Sequence, residues 1–197
     1  DPTPHRAPSR GLEAASTALA LALAERADRA GRRAAGLLAL IHPDADLGPV
    51  LLALDDDDPA HRASALEILD HVLEPRVRRL LVPLLDGRSR TARLREASGV
   101  LRLPRRVREA WLPALAADED EWVAATALHF AAANGTPLPA SGVAALLDHP
   151  SAFVREATLA AAIRLFPPTA REAACRQNFA DPHPAVRALA RRGLGLA

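Results

Sequence analysis

Apolar and polar residues alternate along this chain with the period of a helix almost throughout. In "RASALEILDHVLEP" (residues 62–75), Glu67, Asp70, His71 and Glu74 recur at i, i+3, i+4 and i+7, and Leu66, Leu69, Val72 and Leu73 face the other way. Only a turn of 3.6 residues lines up such positions. β-Branched residues are sparse and no strictly alternating run exceeds a few residues, so strands are not expected. The pattern predicts a long helix or broken pair over 10–41, then helices over 46–54, 59–73, 76–85, 89–102, 105–117, 120–133, 141–147, 151–165, 169–179 and 184–194. Pro83 and Pro113 fall inside two of the shorter ones and are expected to kink them.

The helices repeat. Aligning "DDDDPAHRASALEIL", "DGRSRTARLREASGVL", "DEDEWVAATALHFAA", "DHPSAFVREATLAAAI" and "DPHPAVRALARRGL" puts Arg62, Arg93, Ala124, Arg155 and Arg187 in one column, at separations of 31, 31, 31 and 32 residues. A shorter apolar segment precedes each and ends at or near Asp55, Asp86, Asp118, Asp148 or Asp181. These aspartates are expected to act as N-caps, with Pro59, Pro150 and Pro168 at first helical positions. Each unit then reads as a long helix, a tight turn, a short helix and an Asp-containing turn. Neither helix buries its face alone, whereas stacked units share a core. A period of 31 is below the ~40–47 of large HEAT repeats, and the ankyrin and TPR signatures are missing. The expected fold is all-α: an α-solenoid of short HEAT-like hairpins forming a single domain over residues 10–197, after a Pro-rich linker at 1–9.

Composition changes this picture little. The chain has 197 residues, 49% apolar, enough for a proper core, and a formal net charge of +1, which favours neither a polyanion binder nor an acidic tail. All 25 basic residues are Arg, and Tyr and Met are absent too, a usage that points to GC-rich bacterial coding. The single cysteine, Cys175, has no disulfide partner within the chain and reads as a small core residue. The chain opens at Asp1 rather than Met and is expected to be a piece of something longer. "LEAASTALALALAERA" is too short and Ala-rich to span a bilayer.

The run from Gly31 to Gly87, with Arg62, Ala63, Ala65, Leu66, Glu67, Leu69 and Asp70 followed by Leu81, Pro83, Leu84, Leu85 and Asp86, resembles the HEAT-repeat domain of bacterial ADP/ATP translocase-like membrane proteins. "EWVAATAL", "PSAFVREAT" and "PHPAVRALA" resemble the later repeats of that family. Ser64 and His71 stand where the family pattern has asparagines. The resemblance implies a non-catalytic interaction or regulatory module at the cytoplasmic face of a bacterial membrane. Its partners would be another protein or the rest of its own polypeptide: a major-facilitator-type transporter part and, in some members, a cyclic-nucleotide-binding domain.

Among chemical candidates, the Glu67/Asp70/His71/Glu74 stripe lacks the Glu-x-x-His partner and the His-Glu-x-x-His motif of a metal site, and reads as a polar face holding Arg62 or an arginine of the next unit. The acidic runs "LDDDDP" and "DEDE" lack EF-hand spacing and open helices, where carboxylates cap. His-Pro pairs at 42–43 and 149–150 punctuate turns. No nucleophile elbow or phosphate loop supports catalysis, and no cofactor is implied. One feature exceeds a plain scaffold. Arg76, Arg78, Arg79, Arg88, Arg90, Arg93, Arg95, Arg102, Arg105, Arg106 and Arg108 crowd residues 76–108, opposed by Asp86 and Glu96. A basic ridge of this kind fits anionic lipid headgroups, a nucleotide or an acidic protein surface. A nucleic-acid-binding HEAT-like repeat is the first alternative, set against the lack of interleaved aromatics. An accessory subunit of a tetrapyrrole-modifying lyase is the second.

Overall fold

The computed structural model describes residues 10–54, 56–85, 89–102 and 106–196. The expected linker at 1–9 and the turn aspartates Asp55 and Asp86 lie outside them. Among the described residues the chain is all-helical, without strands: α1 Arg10–Ile41, a 3-10 turn Pro43–Ala45, α2 Leu47–Leu54, α3 Pro59–Val72, α4 Pro75–Leu85, α5 Arg90–Val100, α6 Arg108–Ala116, α7 Glu121–Asn134, α8 Ala140–Leu146, α9 Ala152–Leu165, α10 Pro168–Gln177 and α11 Pro184–Gly193. Pro59, Pro75, Pro168 and Pro184 open their helices, where the missing N–H costs nothing. Pro150 instead precedes the N-cap Ser151, a correction to its expected helical place.

The chain divides into two compact units, one joining the chain through Arg26 to the chain from Arg106 onward, the other being Ala27–Arg105. In the first unit, α9 packs on α7, α8, α10 and α11, and α6 packs on α7. Leu128, Val154, Leu159, Val186 and Cys175 are fully enclosed there. Residues Val123 to Leu128 of α7 are all buried, the mark of a helix with neighbours on every side. Alanine dominates the seams and lets backbones approach closely. The limit is Gly193 of α11, where a Cβ would stand 2.5 Å from Cys175 Sγ and 3.0 Å from Ile163 Cδ1. The first half of α1 buries Ala15 and Ala22 in this unit, with Leu19 packed on its core.

In the second unit, α2 packs on α3, α3 on α4 and α4 on α5, around Leu38, Leu47, Val50, Ala65, Leu69 and Leu73. Leu38 comes from the second half of α1.

Arg62, Arg93, Ala124, Arg155 and Arg187 are each the fourth residue of a long helix: α3, α5, α7, α9 and α11. Each donates its backbone N–H to the carbonyl of the N-cap four residues earlier: Asp58, Ser89, Asp120, Ser151 and His183.

Candidate functional site

The turns ahead of the long helices have a recurring chemistry, which corrects the expected caps. Asp118 and Asp181 are not N-caps; they lie two residues ahead of them. Asp56 accepts from the Asp58 N–H at 2.9 Å, Asp118 from Asp120 at 2.9 Å, His149 Nδ1 from Ser151 at 3.1 Å and Asp181 from His183 at 2.7 Å. Such a side chain closes the turn before the helix begins. His149 thus does more than punctuate. Asp58 and Asp120 are the true caps of the two acidic runs, accepting from Ala60 and from Trp122 and Val123. Asp148, the remaining described aspartate of the expected set, accepts instead from Gln177 Nε2 at 2.9 Å.

The column arginines lock the same turns from the other side. Arg62 donates to the carbonyls of Leu54 and Asp56, Arg155 to those of His149 and Pro150, and Arg187 to those of Asp181 and Pro182, at 2.6–3.2 Å. Arg155 also grips Asp181 with Nε and Nη2, at 2.8 and 2.9 Å. This bidentate pair is nearly buried, with side chains 11% and 5% exposed. The guanidinium holds the Asp181 carboxyl below its ordinary pKa, burial opposes it, and the His183 N–H reinforces it. At Ala124 the column has no guanidinium. Asp118, like Asp181, is paired with a guanidinium through its side chain, here that of Arg26 of α1.

The acidic stripe is exposed, with Glu67, Asp70 and His71 on α3 and Glu74 between α3 and α4. Asp70 receives Arg78 of the following helix, through its carbonyl at 3.0 Å and its carboxylate at 3.4 Å, and the His71 Nδ1–H donates to the Glu67 carbonyl at 2.9 Å. Arg62, the other expected partner, is committed to its own turn. Among the described residues no group of three or more His, Cys, Asp or Glu is placed to hold a metal. Cys175 is fully buried and its thiol is pushed up by that burial.

The described arginines of the band lie on α4, on α5 and just after it, and at the start of α6. Arg76 and Arg79 are exposed and share one face of α4 at i, i+3, while Arg78 turns to Asp70. Arg90 opens α5, with Arg93 part-buried and Arg95 exposed on the same helix. Arg93 lines a cavity of about 530 Å³ together with Arg32 and Asp28. Arg102 is exposed just after α5. Arg88 and Arg105 lie outside the described residues. In the other unit, Arg108 opens α6 and Arg106 sits over the Trp111 ring, 5.7 Å from its centroid.

A further set of residues escaped the sequence reading. Trp122 and Phe153, each the second residue of its helix, stack at 5.6 Å between centroids with planes 17° apart. They are 38% and 46% exposed and border a cavity of about 400 Å³. α7 lines it with Trp122, Ala125, Thr126 and His129, and α9 with the residues 31 positions later, Phe153, Glu156, Ala157 and Ala160. The signal was present: two aromatics one period apart. No helix of the described residues is long and apolar enough to cross a membrane. No family model, curated protein or solved structure matches the chain.

Proposed function

We propose that the chain is a non-catalytic α-solenoid of HEAT-like repeats with a period of 31 residues. It serves as an interaction or regulatory module, the cytoplasmic domain of a nucleotide-transporter-like membrane protein. The observation that carries the repeat is the set of five column residues, each fourth in its helix and each bonded to its own N-cap. The transporter context rests on the sequence resemblance alone. Exposed Arg76, Arg79 and Arg95 supply the surface for an anionic inner leaflet or an acidic partner domain. Each arginine near such a leaflet contributes about 1 kcal/mol, fading over a Debye length.

The test is a competition between anionic vesicles and duplex DNA at physiological salt. Weak vesicle binding, abolished by moderate salt and reduced in Arg76→Ser/Arg79→Ser, supports the membrane-facing version. DNA binding with a salt slope of several phosphates would replace it with a nucleic-acid-binding repeat. Binding to neither would remove the membrane-facing version and direct the search to acidic protein partners.

A further inference from the structure

The cavity beside Trp122 and Phe153 is lined by no arginine of the band and is independent of the transporter reading. Its floor is alanine and leucine: Ala125, Ala157, Ala160 and Leu189, with Ala18 of α1 on one side. At about 400 Å³ it falls in the size range of small-ligand sites. A second cavity of about 580 Å³ shares His129, Ala132, Ala160 and Leu189 with it but has Arg164 in its lining, so the apolar body of an occupant belongs in the first.

Two features fix the charge of the occupant. First, an indole and a phenyl ring border the space while partly exposed, and the face of an indole attracts cations more strongly than other rings do. Second, Glu156 is the one lining residue with a formal charge at pH 7, is part-buried, and has no ion-pair partner among the described residues. A carboxylate against low-dielectric walls focuses a negative potential into the cavity. Glu156 sits one turn after Phe153 on the same face of α9, so ring and carboxylate face one space.

We propose that this cavity binds a small organic cation with a flat apolar body, the charged group held by Glu156 and the Trp122 face and the body lying on the alanine floor. An arylalkylammonium satisfies all three contacts.

The test uses phenethylammonium, uncharged 2-phenylethanol and anionic 3-phenylpropionate as matched probes. They are titrated calorimetrically and by Trp122 emission in a Trp111→Phe background. The cation should bind and quench Trp122, with the alcohol at least about tenfold weaker and the anion weaker still. Glu156→Gln should bring cation and alcohol to the same affinity while leaving the helical circular dichroism and the melting temperature in place. Trp122→Leu should weaken the cation more than the alcohol. Equal affinity for all three probes, an unchanged cation preference in Glu156→Gln, or no binding up to about 10 mM, beyond the millimolar range of weak affinities, would each overturn the proposal.

Discussion

Leu128 and Leu69 are both fully buried, one in each compact unit, but their settings differ. Leu128 belongs to a cluster with Val143, Leu147, Val154 and Leu159, all nearly inaccessible, reinforced by close-packed alanines. Leu69 has Leu38, Leu47, Val50, Ala65 and Leu73 beside it, packed against partly buried neighbours such as Val77 and Leu81. The cause is visible in the helices that follow. α4 and α5 contribute no fully buried side chain among those described, because arginine occupies so many of their positions. Alanine dominates the packed helices of one unit, and arginine recurs in α4 and α5 of the other. Alanine lets helices approach until the core closes. Arginine covers apolar surface with its stem but keeps its head in water, and leaves the core thin.

The largest effect expected from this contrast is in cavity formation. Leu128→Ala should cost about 4 kcal/mol and Leu69→Ala about 2–3 kcal/mol, because a loosely enclosed site collapses more easily around the lost methyls. Urea unfolding followed by far-ultraviolet circular dichroism measures both. Equal losses would break the comparison.

The turn locks should differ next. Arg155→Ala strips a nearly buried carboxylate of its guanidinium and should cost roughly 2–3 kcal/mol. Arg62→Ala loses bonds to carbonyls alone at a wetter turn, and about 1 kcal/mol is expected. The first lock is also acid-sensitive. Asp181 has a lower pKa folded than unfolded, so its contribution is present above the ordinary carboxylate value of about 4 and disappears as pH falls through the folded value. Asp181→Asn should therefore flatten the acid limb of the stability–pH curve below about pH 4. An acid limb as steep as that of the wild type would show that other carboxylates dominate it.

Close approach gives a third comparison. Gly193→Ala places a methyl against Cys175 Sγ and Ile163, and should cost about 1–3 kcal/mol by overpacking. Cys175→Ala in the same chain should return much of that loss by vacating the space, and additive losses in the double variant would rule out the contact as the cause. The smallest effect is on the arginine face: Arg76→Ser with Arg79→Ser should shift stability by no more than about 0.5 kcal/mol. A larger loss in thermal melts would mean that these side chains support the thin core rather than only cover it.

Helix positions were legible because periodicity and proline placement are local. α3, α4, α9 and α11 begin and end within a residue or so of the sequence expectation. The five-residue column was legible for the same reason. Turn chemistry was only half legible. A run such as Asp118-Glu119-Asp120 announces a cap but not which oxygen serves it, since the cap and the residue two before it both want an acceptor. The unbroken α1, the 3-10 turn at Pro43–Ala45 and the Trp122–Phe153 stack depend on what packs where. Within the arginine band, the individual partners were not legible: Arg78 reaches Asp70 of the preceding helix and Arg106 lies over the Trp111 ring.

Arg26 carries a consequence for how such chains can be edited. At Ala124 the motif loses its arginine, and a search for recurring letters would record a defective copy there. The Asp118 carboxylate nevertheless has a cation, as Asp181 has Arg155, and it is delivered by a helix nearly a hundred residues upstream. What Asp181 and Asp118 share is a carboxylate that holds a positive donor, supplied in one case by the long helix just before it and in the other from a distance. That distance has a topological price. A fragment begun after α1, or a permuted chain opened within it, would separate Asp118 from its counter-ion although every recognisable repeat remained intact. The boundary of the working module lies further upstream than the boundary of its alphabet.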